Sequence, residues 1–124
     1  MDDTVLRLLI VDDDRALRRL LSATFGFGKY CLYEADNGAD ALRLAVELLP
    51  AVVLLDVMLP GDFDGLEVCR RIRAHAALQG TRVILLTALG QKKDYNLGES
   101  AGADAYVVKP FSPIQLIELV DSML

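Results

Sequence analysis

The sequence is poor in the residues on which several classes of functional site depend. Its 124 residues include one histidine, two cysteines and no tryptophan. A hydrolytic triad requires a histidine beside its nucleophile, and zinc sites draw on clustered histidine and cysteine ligands. With His75 alone, and with Cys31 and Cys69 far apart, both kinds of site are nearly excluded. We predict that the two cysteines are buried free thiols of a protein in a reducing cytosol.

Long apolar runs and an excess of basic charge are also absent. No apolar stretch reaches the ~18 residues that a membrane span needs, and residues 1–4 do not resemble the start of a signal peptide. We therefore expect a cytoplasmic protein without a membrane partner. Thirteen basic and eighteen acidic residues give a net charge of −5. Because the phosphate backbone of nucleic acid repels an acidic domain, we predict no direct nucleic-acid binding by this one.

Apolar runs alternate regularly with segments of helical periodicity. The 124 residues, 53% of them hydrophobic, are enough for an ordinary core, so we predict a single domain over 1–124. The periodicities predict strands over 6–11, 30–35, 52–55, 82–86 and 105–108, and helices over 15–25, 39–49, 66–76, 92–101 and 113–123. Five strands alternating with five helices predict a doubly wound α/β fold, in which parallel strands are covered on both faces.

Four of the predicted strands end on polar residues: Asp12-Asp13-Asp14, Asp56, Thr87 and Lys109. Ligands of open parallel sheets bind beyond the carboxyl ends of the strands. In the strand order 2-1-3-4-5 the first and third strands are neighbours, which would place the acids of those two strand ends together. Acid, hydroxyl and ammonium groups would then converge at one edge of the sheet.

This set of side chains suits a metal ion and a phosphoryl group. Close carboxylates repel one another unless one is protonated or a cation neutralises them. Oxygen ligands suit Mg²⁺, and we predict that Asp12 and Asp13 hold it. Lys109 and Thr87 would complete a cradle for a phosphoryl group. Asp56 stands alone at its strand end and is the predicted nucleophile, forming an aspartyl phosphate.

Some of these polar residues also have a simpler structural interpretation. Asp14 is predicted to cap the first helix, and Asp62 and Asp64 are predicted to be turn residues. Ser112 is the predicted cap of the last helix, with Pro113 at its first position. The combination of residues at four strand ends favours a functional interpretation of Asp12, Asp13, Asp56, Thr87 and Lys109 over a purely structural one.

Four segments in order carry a family resemblance: LIVDDD at 9–14, LLDVMLP at 54–60, LLTA at 85–88 and AGADAYVVKPF at 101–111. With these segments the chain closely resembles, over essentially its whole length, the receiver domain of two-component response regulators. Within that family it is chemotaxis-regulator-like. The resemblance implies a flavodoxin-like fold and a signalling domain, not an enzyme. It also implies that a sensor histidine kinase or a phosphotransfer protein donates a phosphoryl group to Asp56.

The resemblance implies further roles at the site. Asp13, Asp56 and the backbone carbonyl of Met58 would bind Mg²⁺ directly, with Asp12 assisting through water. Lys109 would pair with Asp56 before phosphorylation and with the phosphoryl group afterwards, and its bond to Pro110 would be cis.

The resemblance also implies a conformational switch that involves two residues. Thr87 would move toward the phosphoryl group and Tyr106 would rotate inward behind it. The fourth helix, fifth strand and fifth helix would form the switching surface for an output domain or a downstream protein.

The chain departs from the family pattern in three places. The loop over 60–65 is one residue longer than the usual form, and Ala51 and Ala105 stand where acidic residues are common. The last helix carries Glu118 and Asp121 where the DNA-binding winged-helix subfamily places basic residues that pair with a second receiver. We therefore predict that this domain lacks the symmetric dimer of that subfamily.

Three other interpretations compete with this one. An aspartate-dependent phosphatase shares the aspartates but needs a larger fold with a cap. A receiver used as a phosphorylation-independent binding module would not need the whole set of site residues. A nucleotide site at Gly26-Phe27-Gly28-Lys29 is disfavoured because this segment follows a helix. The sequence leaves open the cognate kinase, and whether the chain acts alone or within a protein that carries a DNA-binding, cyclase or kinase module.

Overall fold

The structure, a computed structural model, describes residues 6–124. It contains a parallel sheet of five strands in the order β2-β1-β3-β4-β5, as predicted. The strands are β1 (Leu6–Val11), β2 (Tyr30–Ala35), β3 (Val52–Leu55), β4 (Arg82–Thr87) and β5 (Ala105–Val108). The helices are α1 (Arg15–Phe25), α2 (Gly38–Leu48), α3 (Gly65–Ala74), α4 (Lys92–Ser100) and α5 (Pro113–Ser122). The doubly wound α/β fold is thereby confirmed.

Helices cover both faces of the sheet, which explains why the central strands are apolar throughout. Alternate residues of β1 point to opposite faces. Leu9 and Val11 join a core cluster with α2 and α3, whereas Leu8 and Ile10 join a second cluster with α1 and α5. All four of these side chains are at most 1% exposed. A strand that is buried on both sides cannot carry the polar alternation of a half-exposed strand.

Local capping sets the helix starts. Asp14 accepts hydrogen bonds from the backbone of the first turn of α1. Ser112 caps α5, and Pro113 is the first residue of that helix. Both predictions are therefore confirmed. The interpretation of Asp64 as a turn residue is wrong, because its side chain accepts the backbone N–H of Glu67 and caps α3. The signal was present, since Asp followed three residues later by Glu is typical of a helix start.

The first helix ends at Phe25 as predicted, whereas the other four helices end one or two residues before their predicted ends. The third helix ends at Ala74, not at 76, because His75 takes an extended conformation and its Nδ1 accepts the N–H of Ala77. A short 3-10 turn, Ala76–Leu78, follows. Gly102, with φ of 95°, lies just beyond α4 in the left-handed conformation that commonly follows a helix end.

The two cysteines differ in exposure. Cys69 of α3 is buried as predicted, but the prediction for Cys31 is wrong, because it is exposed. Cys31 lies near the start of β2, an edge strand with only one neighbouring strand. In the part of the chain that the structure describes, no helix is both long enough and apolar enough to cross a membrane. Residues 1–4, for which the sequence predicts no signal peptide, lie outside that part.

Candidate functional site

The register of two neighbouring strands places the acidic residues side by side. Val11 of β1 is paired with Leu55 of β3, so that Asp12 and Asp56 follow at the same level of the sheet. The backbone N–H of Asp56 donates to the carbonyl of Val11 at 3.0 Å. Asp12 is 2% exposed and Asp56 is 7% exposed. The predicted convergence of acids at this sheet edge is therefore present.

Asp12, Asp13 and Asp56 form a group that could hold a metal ion. One carboxylate oxygen of each lies within 4.8 Å of the others, and Asp13 is the exposed member. Three anionic oxygens at this spacing suit a hard divalent cation, and a small one such as Mg²⁺ keeps several of its waters. The donor set therefore fits the ion that the sequence predicts.

Lys109 lies between the two buried carboxylates. Its Nζ donates to Oδ2 of Asp56 at 3.0 Å and to Oδ2 of Asp12 at 2.8 Å. The pairing with Asp56 agrees with the resemblance, whereas the pairing with Asp12 was not predicted. Burial alone would lower the pKa of Lys109, but its bonds to Asp12 and Asp56 and their charges outweigh burial, and its pKa is raised. The ammonium therefore stays charged well above neutral pH.

Backbone amides hold the second oxygen of each buried acid. Oδ1 of Asp12 accepts the N–H of Asp14 at 2.9 Å, and Oδ1 of Asp56 accepts the N–H of Met58 at 3.1 Å. Burial raises the pKa of Asp12, and the bonds from Lys109 and Asp14 oppose that rise. The orientation of both carboxylates is thus determined by the loops that follow their strands.

Gly65 is a component of the site that the sequence did not single out. It begins α3, and its N–H donates to the carbonyl of Val57 at 2.8 Å. A Cβ at this position would overlap the backbone carbonyl of Asp56. Only glycine therefore permits the helix to start this close to the strand end. The signal available in the sequence was a glycine directly after the capping Asp64.

Thr87 and Tyr106 both contact the backbone of Leu89. The buried hydroxyl of Thr87 accepts the N–H of Leu89 at 3.4 Å, and the Tyr106 hydroxyl donates to its carbonyl at 2.7 Å. The Tyr106 ring packs against the core and lies 4.5 Å, between ring centroids, from the ring of Tyr95. Thr87 and Tyr106 are thus linked through one residue, and the ring already lies inward in this structure.

The remaining predicted features lie around this centre. The Lys109–Pro110 peptide is cis, as the resemblance implied. The backbone N–H of Lys109 donates to the carbonyl of Thr87 at 2.9 Å, which connects the ends of β4 and β5. The side chain of Met58 is 60% exposed. An open cleft of 560 Å³ extends from Asp13 past Met58 to α4.

Comparisons with known proteins agree on one family. A family model described as the response regulator receiver domain matches residues 8–121. The transcriptional regulatory protein ResD of Bacillus subtilis is 42% identical over 125 residues, which cover 100% of this chain and 50% of ResD. The chain thus spans about half the length of the curated relatives it matches.

Solved structures are similar over nearly the whole chain. The BeF3-activated receiver domain of DrrB from Thermotoga maritima has a TM-score of 0.87 and 36% identity, covering 97% of each chain. The chemotaxis protein CheY4 of Vibrio cholerae has a TM-score of 0.90 and 27% identity, covering 98% of this chain and 100% of CheY4. The similarity therefore extends from sequence to fold.

Proposed function

This chain belongs to the receiver-domain family of two-component response regulators, and from that premise we propose that Asp56 is its phosphoacceptor. The observation that carries the proposal is the pair of buried carboxylates bridged by one ammonium at adjacent strand ends. A purely structural cluster would not need an unshielded third acid, yet Asp13 stands exposed beside them. The domain is a signalling element, and we propose that it comprises residues 1–124.

The chemistry follows from the state of the Asp56 carboxylate. Each oxygen carries two lone pairs, and each accepts one hydrogen bond, from Met58 or from Lys109. A lone pair therefore remains for attack on the phosphorus of a phosphohistidine. The new bond joins an Asp56 oxygen to phosphorus, the bond from phosphorus to the histidine nitrogen breaks, and that nitrogen takes a proton from water to leave as neutral imidazole. A sensor histidine kinase or a phosphotransfer protein would supply the donor histidine.

We propose that Asp12, Asp13, Asp56 and the carbonyl of Met58 hold Mg²⁺, with Asp12 acting through water. The spacing of the three carboxylates and their all-oxygen character support this assignment. The ion would offset the negative charge of the phosphoryl oxygens. Lys109 would move its hydrogen bond from the carboxylate to the phosphoryl group and stabilise the charge that develops there.

The switch would pass from the site to α4, β5 and α5 through Leu89. A Thr87 hydroxyl that turned to the phosphoryl group would give up its bond to the Leu89 N–H. Loss of that bond would free the backbone of Leu89 to move. Because the Leu89 carbonyl accepts the Tyr106 hydroxyl, the movement would reach β5, and through the contact of Tyr106 with Tyr95 it would reach α4. This is a local change of charge that biases a two-state element.

The output of the whole protein is a separate proposal. ResD is a transcriptional regulatory protein of which this chain covers 50%. We propose that the whole protein carries an output module, and that transcriptional regulation is its role. The net charge of −5 supports the prediction that the receiver itself does not contact nucleic acid.

Intact mass after treatment with acetyl phosphate and Mg²⁺ tests the proposal. We expect one added phosphoryl group in the wild type and in an Asp62→Asn control, and none in Asp56→Asn or with EDTA. The control removes one exposed carboxylate from the neighbouring loop without touching the site. No adduct on a folded wild-type chain would instead favour a phosphorylation-independent binding module.

A further inference from the structure

A partly buried arginine ties the acidic loop to the neighbouring strand. Arg18 lies in the first turn and a half of α1, and its side chain is 15% exposed. Its Nη1 donates to the backbone carbonyl of Asp12 at 2.7 Å, while its Nε donates to Oε1 of Glu34 in β2 at 3.0 Å. Ser22 Oγ donates to the other oxygen of Glu34 at 3.3 Å. One guanidinium thus connects α1, β2 and the loop after β1.

The carbonyl that Arg18 holds belongs to the peptide between Asp12 and Asp13. That peptide is planar and includes the backbone nitrogen of Asp13. A hydrogen bond that fixes its oxygen therefore also fixes the orientation in which the Asp13 backbone begins. On the other side of Asp12, its N–H donates to the carbonyl of Ala35 at 3.1 Å. Both ends of the Asp12 backbone are therefore anchored toward β2, one by the backbone and one by Arg18.

Asp13 depends on this anchoring more than the other two acids do. Asp12 and Asp56 are buried and are held by Lys109 and by backbone amides. Within residues 6–124, no hydrogen bond or ion pair fixes the exposed carboxylate of Asp13. Its position relative to the other two acids is set by the backbone alone.

We propose that Arg18 is a positioning residue for the metal site, which aims Asp13 by holding the Asp12–Asp13 peptide, and that Glu34 holds Arg18 in place. The inference rests on the proposed function, because it concerns the same metal site. It differs from a simple effect of charge. A guanidinium beside an acidic cluster repels a cation, so charge alone would make the metal bind more tightly once Arg18 is removed.

Calorimetric titration of the full chain with Mg²⁺ alone separates these two effects. We expect Arg18→Ala to weaken Mg²⁺ binding by about tenfold, the lower end of the range for partners that orient metal ligands. Arg18→Lys retains the charge and can keep one of the two bonds, so an intermediate loss is expected. Arg19→Ala is the matched control, because it removes the same charge from an exposed position of the same helix and should leave affinity unchanged or slightly higher.

A second pair of variants tests whether Glu34 holds Arg18 in place. Glu34→Gln breaks the ion pair with Arg18, whereas Asp36→Asn removes an equal charge from an exposed residue that lines the same surface depression. We expect several-fold weaker Mg²⁺ binding for Glu34→Gln than for Asp36→Asn. Circular dichroism checks that each variant is folded. This pair decides the question if Arg18→Ala does not fold.

The possible results bear differently on the two proposals. Equal Mg²⁺ affinity in Arg18→Ala and Arg19→Ala, or in Glu34→Gln and Asp36→Asn, would overturn the role of Arg18 and leave the phosphoacceptor untouched. A wild-type chain that does not bind Mg²⁺ would overturn both the metal site and its positioning residue. An EDTA-sensitive phosphoryl adduct on Asp56 supports the proposed function independently of either pair.

Discussion

Lys109 places one ammonium group between two buried carboxylates, those of Asp12 and Asp56. Removing two acids from water is costly unless a positive charge and hydrogen bonds compensate them. Here a single lysine and two backbone amides provide that compensation. The same groups are the ones that a metal and a phosphoryl group would engage, so the resting site already carries much of the order that its chemistry needs.

The first prediction concerns the removal of that lysine. Lys109→Met should lower the free energy of unfolding by about 2 kcal/mol without metal. This is less than the cost of breaking a fully buried pair, because the lysine side chain is 22% exposed. Added Mg²⁺ should recover part of the loss, since the ion would compensate the same acids. Urea unfolding measures both effects, with exposed Lys92→Met as the control. Equal stability of the two variants would contradict the compensating role.

The second prediction concerns the two thiols. Burial raises the pKa of Cys69 to about 11, and its Sγ donates to the carbonyl of Ala101 at 3.3 Å. At pH 8 its thiolate is then roughly a hundredfold scarcer than that of a thiol with an ordinary pKa near 9. A thiol reagent should therefore modify exposed Cys31 alone in the native protein and both cysteines in denaturant. Two fast reactions in the native state would show that Cys69 is not buried in solution.

The same pKa shift has a consequence for stability at alkaline pH. The folded protein binds the Cys69 proton more tightly than the unfolded chain does, so stability falls as pH rises from about 9 to about 11. Below pH 9 the protonated Cys69 makes its full contribution to the free energy of unfolding. Cys69→Ala should flatten this part of the stability profile, as measured by urea unfolding between pH 8 and pH 11. Cys31→Ala, at the exposed position, serves as the control.

At the scale of elements, α4 is the helix whose sequence predicts it least well. Gly98 lies in its interior, where glycine costs about 1 kcal/mol relative to alanine. The structure shows a compensating gain, because Gly98 is buried under the ring of Tyr106 and next to Leu85. Glycine at this position thus lowers the helix propensity of α4 but leaves room for the aromatic ring of Tyr106 from β5.

The third prediction tests whether the Tyr106 ring requires glycine at position 98. An ideal Cβ on Gly98 would lie 2.8 Å from Cδ2 of Tyr106 and 3.0 Å from Cδ1 of Leu85. Gly98→Ala should therefore displace the Tyr106 ring and destabilise the protein by about 1 kcal/mol net, since overpacking costs about 1–3 kcal/mol and propensity returns about 1. Urea unfolding measures the stability, and tyrosine fluorescence reports the ring.

Two further variants complete that test. Gly80→Ala is the matched control, because nothing lies within 4 Å of its added Cβ, and it should be neutral or slightly stabilising. In a Tyr106→Ala background the clash with the ring is gone and only the contact with Leu85 remains, so Gly98→Ala should be less destabilising there than in the wild type. A stabilising effect of Gly98→Ala in the wild type would mean that the ring does not hold this position.

At the scale of the whole molecule, the acidic residues of α5 bear on whether two copies of the chain can pair through this helix. Asp121 is already engaged within the chain, accepting the Tyr30 hydroxyl at 2.7 Å and lying 3.5 Å from Nζ of Lys29. These contacts direct its carboxylate toward the start of β2. They give a structural reason for the expected absence of a charge-paired dimer through this helix.

The fourth prediction is that the chain stays monomeric. Sedimentation velocity at micromolar concentration should show a monomer both before and after phosphorylation with acetyl phosphate and Mg²⁺. Ile114 and Leu97, which are 69% and 50% exposed on α5 and α4, could support only an apolar contact, and such a contact would not weaken in salt. Any tight phosphorylation-dependent dimer would contradict the prediction, and its dissociation as salt is raised would show that charge pairs hold it together.

The sequence alone determined the features that depend on neighbours along the chain. Apolar runs predicted all five strands, Asp14 and Ser112 marked helix starts, and polar residues at strand ends located the site, because periodicity and capping act within a few residues. Helix ends were less well determined. His75 leaves the helical conformation through its own contact with Ala77, which no periodicity records.

Only the tertiary structure decided which distant groups meet. Lys109 and Asp12 are 97 positions apart in sequence, and their pairing depends on strand order and register together. The exposure of Cys31 depends on β2 being an edge strand, and the contact of Arg18 with the Asp12 carbonyl depends on how α1 packs beside β2. Residue type and spacing supply the functional groups, but contacts across the folded chain decide which of them act together.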